Sequence, residues 1–190
     1  MMLAYKGFTK ELTATMGKGV FRFETGKTYE EKECKCAHNG FHCAEDPLGV
    51  LRYYSGMDTR FFLVRAEGEV NQDGEGSRIS CTRLTLVKEI SRTGLAVHAC
   101  RYMERYPERK PDGDYVKRER GTCTRKDDFI IVRGKDPRGS GVKGSWFFLV
   151  REEAGSPRIR TVYPVYVDGE EIREKTYYGL RGDGLCRRKN

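Results

Sequence analysis

Nine basic residues lie between positions 101 and 126: Arg101, Arg105, Arg109, Lys110, Lys117, Arg118, Arg120, Arg125 and Lys126. Five acids are interspersed (Glu104, Glu108, Asp112, Asp114 and Glu119). The segment therefore carries an excess of +4, half of the formal +8 of the whole chain. Arg101 and Arg105, at i and i+4, share one face of a helix. Tyr102, Tyr106 and Tyr115 interleave with the cations. Cationic groups for phosphates, with rings for bases, are what a nucleic-acid strand requires. These nine are therefore the candidate nucleic-acid-binding residues. Lys135, Arg138 and Lys143, in a glycine-rich stretch, and Arg187, Arg188 and Lys189 at the C-terminal tail extend the positive charge. Two other uses of the same charge compete with this one: a solvated face kept basic for solubility, and a surface for an acidic protein.

Thiols and imidazoles form a second cluster, Cys34-x-Cys36-x-His38-x3-His42-Cys43. Zinc takes four such ligands tetrahedrally, but the paired C-x2-C elements of zinc ribbons are missing. His42 and Cys43 are adjacent on an expected strand, so they point to opposite faces. The N-terminus has no apolar core of signal-peptide length, so the chain is expected to be cytoplasmic. Seven cysteines there are expected to stay reduced, several as small core residues. Neither a metal nor a cofactor is expected. Thiol catalysis is disfavoured, because Cys100 and His98, two apart on a helix, do not meet, and there are only three histidines. Catalytic residues stay unassigned. One enzymatic alternative resembles the nicotinamide pocket of ADP-ribosyltransferases, with Tyr5, His42 and Tyr53 or Tyr54 as lining and Glu67 or Glu69 as the carboxylate.

Periodicity and turn chemistry give the elements that must position these groups. Leu3–Phe8 and residues 20–24 read as strands, and residues 28–35 as a loop or edge segment. A short strand at Gly40–Cys43 precedes a helix that starts at Asp46-Pro47, with Asp46 as N-cap. Residues 60–69 and 78–90 are the best strands. The Asp73-Gly74 turn joins them as an antiparallel hairpin. Phe62, Val64 and Ala66 share a face of the first; Ile79, Cys81, Arg83, Thr85 and Val87 are expected on one face of the second. Ala96, Ala99, Cys100 and Met103 recur at helical spacing, which predicts a helix over 93–106, stopped by Pro107. Residues 108–127 are polar and read as a mobile loop or linker. Residues 129–132, 145–150, 161–167 and 176–180 read as strands around a glycine-rich stretch at 134–144, and 185–190 as a basic tail.

Two blocks resemble a family of uncharacterised proteins carried by phages and prophages of gut bacteria. The first holds Tyr5-Lys6-Gly7-Phe8, Phe21-Arg22-Phe23-Glu24-Thr25-Gly26-Lys27-Thr28-Tyr29-Glu30, Gly40-Phe41-His42-Cys43, Asp46-Pro47-Leu48, Tyr53-Tyr54, Glu67-Gly68-Glu69-Val70 and Lys88-Glu89-Ile90. The second holds Lys143-Gly144-Ser145-Trp146, Val165-Tyr166-Val167-Asp168-Gly169-Glu170-Glu171-Ile172 and Thr176-Tyr177-Tyr178. Members often carry a glycine-rich repeat array between the blocks. Here the basic segment 91–127 stands in its place. The resemblance implies phage biology and no particular reaction.

Length and composition bound the rest. The chain has 190 residues, 34% of them charged, with 22 glycines and six prolines. No apolar run approaches the roughly 20 residues of a spanning helix, so no membrane partner is expected. The expected fold class is α+β and strand-rich, made of antiparallel hairpins with two short helices. The expected division is an N-terminal α+β block (1–92), a helix plus basic linker (93–127) and a C-terminal hairpin block (128–190) packed on the first. The expected function is a phage accessory or anti-defence protein, anti-CRISPR activity being one instance. It would bind a host defence protein or ribonucleoprotein, or its RNA or DNA, through the basic segment. The alternatives are the ADP-ribosyltransferase-like enzyme and a phage structural component.

Overall fold

The computed structural model describes all residues except 15–18, 73, 75, 112, 183, 189 and 190. It divides into two compact units, Met1–Ser91 and Arg92–Asn190. About half of the chain is strand and about a tenth helix, so the fold is mostly β and the α+β expectation is corrected. One of the two expected helices is a 3-10 helix, Pro47–Arg52. Asp46 caps it as anticipated, accepting the Leu48 N–H at 2.9 Å. Two glycine- or polar-rich stretches that looked like loops turn out to be strands.

Unit 1 contains β1 (Met2–Phe8), β2 (Thr13–Ala14), β3 (Phe21–Arg22), β4 (Thr28–Glu30), β5 (Phe41–Ala44), β6 (Arg60–Gln72) and β7 (Arg78–Ile90). β2 and β3 form a small separate ribbon, too short for the strand expected over 20–24. Pairing runs β6–β1, β1–β5, β5–β7 and back through β7–β6, all antiparallel, so the order closes on itself; β4 adds to β7. Inside lie Ala4, Phe8, Phe41, Cys43, Phe62, Val64, Ala66, Ile79, Cys81, Leu84 and Leu86, with Phe23. The Phe62, Val64 and Ala66 face is the expected one. On β7 the buried set changes phase from Ile79 and Cys81 to Leu84 and Leu86, against a strict period of two. A bulge causes this: Glu67 faces Arg83 while Val70 faces Cys81, leaving two residues of β6 opposite one of β7. Gly68 sits in that bulge at φ +71, and a Cβ there would lie 2.2 Å from Thr82 Oγ1.

Unit 2 begins with α1 (Arg92–Arg105), whose buried residues Leu95, Ala96, Ala99, Cys100 and Met103 follow the helical spacing. Then come β8 (Val116–Cys123), β9 (Phe129–Gly141), β10 (Trp146–Glu152), β11 (Ile159–Tyr166), β12 (Tyr178–Arg181) and β13 (Gly184–Arg187). They form one sheet in the order β11-β10-β9-β12-β13, with β8 on β9. The β8–β9 and β9–β10 pairings are parallel, unlike the hairpins expected. α1 packs against β9, β10 and β11. The segment expected to be a loop is thus in part β8, and the glycine-rich stretch is in part β9. Its glycines answer crowding: a Cβ at Gly139 would lie 2.3 Å from the Phe147 ring.

Candidate functional site

The C-terminal end of α1 gathers the first cations. Arg101 and Arg105 are exposed on it. One turn apart, Tyr102 and Tyr106 place their rings 4.9 Å from each other. Arg109, beyond the helix, folds back on both: its guanidinium lies 4.2 Å from the Tyr106 ring centre and donates to the Tyr102 hydroxyl at 2.6 Å. Arg105 lies 5.4 Å from the same Tyr106 ring. A guanidinium within about 6 Å of a tyrosine ring centre is attracted to the ring and keeps its charge. Lys110 follows, exposed.

Beyond Lys110 the expected single stripe breaks up. Lys117, Arg118 and Arg120 are on β8; Arg125 and Lys126 are in the turn before β9. Arg118 makes a two-pronged bond to Glu152, 2.7 Å on each arm. Arg133, only 4% exposed, donates to the same carboxylate at 2.7 Å and to the carbonyls of Pro107 and Pro157. The Arg118 hydrogen bonds, aided by both positive charges, hold the Glu152 carboxyl below its ordinary range against the effect of burial. Arg125 is likewise tied to Asp128 at 2.7 Å, a carboxylate that also receives Arg92 at 2.7 Å. Both arginines also donate to the Tyr115 hydroxyl. Arg120 lies 3.9 Å over the Tyr177 ring, whose hydroxyl is hydrogen-bonded to Thr122 at 2.7 Å.

A cleft of about 500 Å³ opens between these parts, lined among others by Arg109, Arg118, Arg133, Lys135, Glu119 and Glu152. Its acids and bases largely offset each other. Glu119, at φ +58, turns its carboxylate into the bulge of β9 and accepts the amides of Lys135 and Asp136 at 2.9 and 3.1 Å. Gly134 makes room, since a Cβ there would lie 2.2 Å from that carboxylate. Arg138 and Arg188 share Asp136. Lys135 and Lys143 are exposed, and Lys189 lies outside the described residues. Of the nine candidates, Arg101, Arg105, Lys110, Lys117, Arg120 and Lys126 are exposed cations with no carboxylate partner among the described residues, Arg105 and Arg120 lying against tyrosine rings. Arg118 and Arg125 are committed to internal ion pairs.

Unit 1 holds a group the sequence did not point to. Lys6 enters the closed strand ring, 7% exposed, and its amine donates to the His42 carbonyl at 2.6 Å. The Phe8 and Phe23 ring centres are 5.5 and 5.6 Å from it. Burial lowers the Lys6 pKa. Cys43 and Cys81 face the same space. The Cys81 thiol donates to the Phe41 carbonyl at 3.5 Å, and the Cys81 neighbour together with burial pushes the Cys43 thiol well above its ordinary value. Cys34 and Cys36 are buried nearby, bonded to the Glu69 and Arg78 carbonyls. All seven cysteines are free thiols. Among the described residues, no group of three or more His, Cys, Asp or Glu is arranged to hold a metal. His42 Nε2 accepts the Ala37 amide at 3.0 Å and the Tyr53 hydroxyl accepts from Arg78 at 3.2 Å, so two of the side chains named for a nicotinamide pocket, alongside Tyr5 and Tyr54, have partners.

Residues 2–98, just over half of the chain, match the profile of a domain of unknown function. No curated protein and no solved structure matches the chain.

Proposed function

The chain belongs to the DUF7666 family, and from that premise we propose that it adds a nucleic-acid-binding unit to a domain of that family. The match ends at residue 98, before the first of the nine candidate cations. The binding face is built from Arg101, Arg105, Arg109 and Lys110, with Lys117 and Lys126 as further phosphate contacts. The arginine–tyrosine stack of Arg105, Tyr106, Arg109 and Tyr102 carries this reading. It offers stacking planes and positive charge at one place, which suits an unpaired strand better than a duplex. Arg118 and Arg125 serve the fold of the unit, and contribute charge only at long range. In the phage setting that the resemblance implies, the partner is a host defence ribonucleoprotein or its nucleic acid, and the role is anti-defence.

A salt series on a labelled single-stranded oligonucleotide tests this. Affinity should fall steeply between about 50 and 200 mM salt, with a log–log slope near −0.7 per phosphate neutralised. Arg101→Gln and Lys110→Gln should each make the slope shallower by about 0.7, and Tyr106→Ala should cost about 1–3 kcal/mol of binding. Arg118→Gln should leave the slope unchanged. Binding that ignores salt, or equal slopes for all three charge variants, overturns the proposal.

A further inference from the structure

We infer that Arg120 and the Tyr177 hydroxyl form a second phosphate site of unit 2, one that takes a phosphate group of the bound strand. This site deepens the nucleic-acid reading, on which it rests, by giving the strand a second anchor. Parallel pairing of β8 on β9 builds it. Arg120 is the register partner of Arg138, and Thr122 of Ser140, so these four side chains stand on one face of the sheet. Gly121 and Gly139, between them, turn to the other face, where a Cβ would meet Ile130 and Phe147 of the core. Tyr177, immediately before β12, closes over the first face. Its hydroxyl is 2.7 Å from that of Thr122, which is 2.8 Å from that of Ser140. The Arg120 guanidinium lies 3.9 Å over the Tyr177 ring centre. Unit 2 therefore holds two arginine–tyrosine contacts of one kind, Arg109 on Tyr106 and Arg120 on Tyr177. The cleft extends from the first towards the second: Arg109 lines it, and so do Glu119 and Lys135, which directly precede Arg120 and Asp136.

The hydroxyl chain has a direction. Three hydroxyls carry three protons and share two hydrogen bonds, so one proton is left for an outside acceptor. Ser140 is 1% exposed, and a donor left unpaired there would carry the full penalty of its burial. Ser140 therefore donates to Thr122, Thr122 donates to Tyr177, and the phenol keeps its proton for a partner. The Tyr177 pKa agrees: the Thr122 hydrogen bond lowers it, and Arg120 adds to that against the effect of burial. The remaining phenol proton is at the half-buried Tyr177, beside a guanidinium with no carboxylate partner among the described residues. Arg138 and Arg188 share the one carboxylate of Asp136, so three guanidiniums face it. The neighbouring Glu119 carboxylate is held on the amides of Lys135 and Asp136. A hydroxyl donor beside guanidinium N–H groups and surplus positive charge selects an oxyanion, and a phosphate matches the guanidinium fork.

The test follows the Arg120 Nε–H signal of the full chain by nitrogen-15 NMR, assigned with Arg120→Lys. Inorganic phosphate alone should move that signal saturably, beyond the effect of chloride at equal ionic strength. Tyr177→Phe keeps the ring and loses the donor, and should weaken phosphate about three- to tenfold. A labelled single-stranded oligonucleotide then tells a strand phosphate from a free one. Arg120→Gln should make its salt slope shallower by about 0.7, and Tyr177→Phe should weaken it about three- to tenfold. Phosphate that moves the signal no more than chloride, with an unchanged slope in Arg120→Gln, overturns the site and leaves the Arg109–Tyr106 face to its own variants. Phosphate binding with an unchanged slope marks a site for free phosphate and overturns the strand assignment. Wild type that binds no oligonucleotide overturns the proposed function and the strand assignment together, while the phosphate titration still decides whether the site exists. That titration stands even if a variant fails to fold.

Discussion

Raising the pH should unfold this protein in part through one thiol. Cys100 is on the buried face of α1, 3% exposed, among Leu95, Ala96, Ala99 and Met103. Burial, with a smaller contribution from the Glu104 charge, pushes its pKa from 9.0 to about 12. The unfolded chain therefore ionises this thiol first. The stabilisation is complete below pH 9 and is lost as the pH climbs towards 12, where the loss reaches about 4 kcal/mol at roughly 1.4 kcal/mol per unit. Most useful is the range from pH 8 to pH 10, where one freely titrating thiol accounts for about 1.4 kcal/mol. Urea denaturation at both pH values, on wild type and Cys100→Ala, isolates it. Removing the sulfur adds a packing loss that does not depend on pH, and it also removes the titration, so the variant should lose about 1.4 kcal/mol less than wild type between pH 8 and pH 10. Equal losses within about 0.5 kcal/mol would refute the buried-thiol explanation.

Three further outcomes rest on particular contacts. Arg133→Met should destabilise the fold by about 3 kcal/mol in urea, since it strips a buried donor from Glu152 and the Pro107 and Pro157 carbonyls; a loss under about 1 kcal/mol contradicts this. Gly134→Ala should cost about 1–3 kcal/mol by expelling the Glu119 carboxylate, and the cost should largely vanish in a Glu119→Gly background, which a double-mutant cycle measures. Lys6 has its pKa lowered by burial, so the folded state holds fewer protons than the unfolded one, and stability from this group rises as pH approaches 10.5. Lys6→Met should flatten that rise relative to wild type.

Spacing made α1, the β6–β7 hairpin and the Asp46 cap legible, because each depends on residues near in sequence. The Phe62, Val64 and Ala66 face was legible for the same reason. The phase change on β7 was not, because it arises from a bulge in the partner strand. Nor was β8, whose Lys117, Arg118 and Arg120 resemble a solvated linker until Glu152 and Tyr177 are brought to them from 34 and 57 residues away. The glycines of β9 looked like flexibility and are close packing against Phe147 and Glu119.

The same division runs through the two candidate sites. Composition alone determined that the chain is basic, that half of the excess charge sits between residues 101 and 126, and that tyrosines accompany it. Charge counts are local and additive, so they need no fold. Only the tertiary structure decided which of those cations stay available, because an ion pair depends on a carboxylate delivered by a distant strand. It alone brought Arg120, Thr122 and Ser140 to Tyr177, residues of two paired strands and of the segment before a third, whose closeness follows from pairing order and has no signature in spacing.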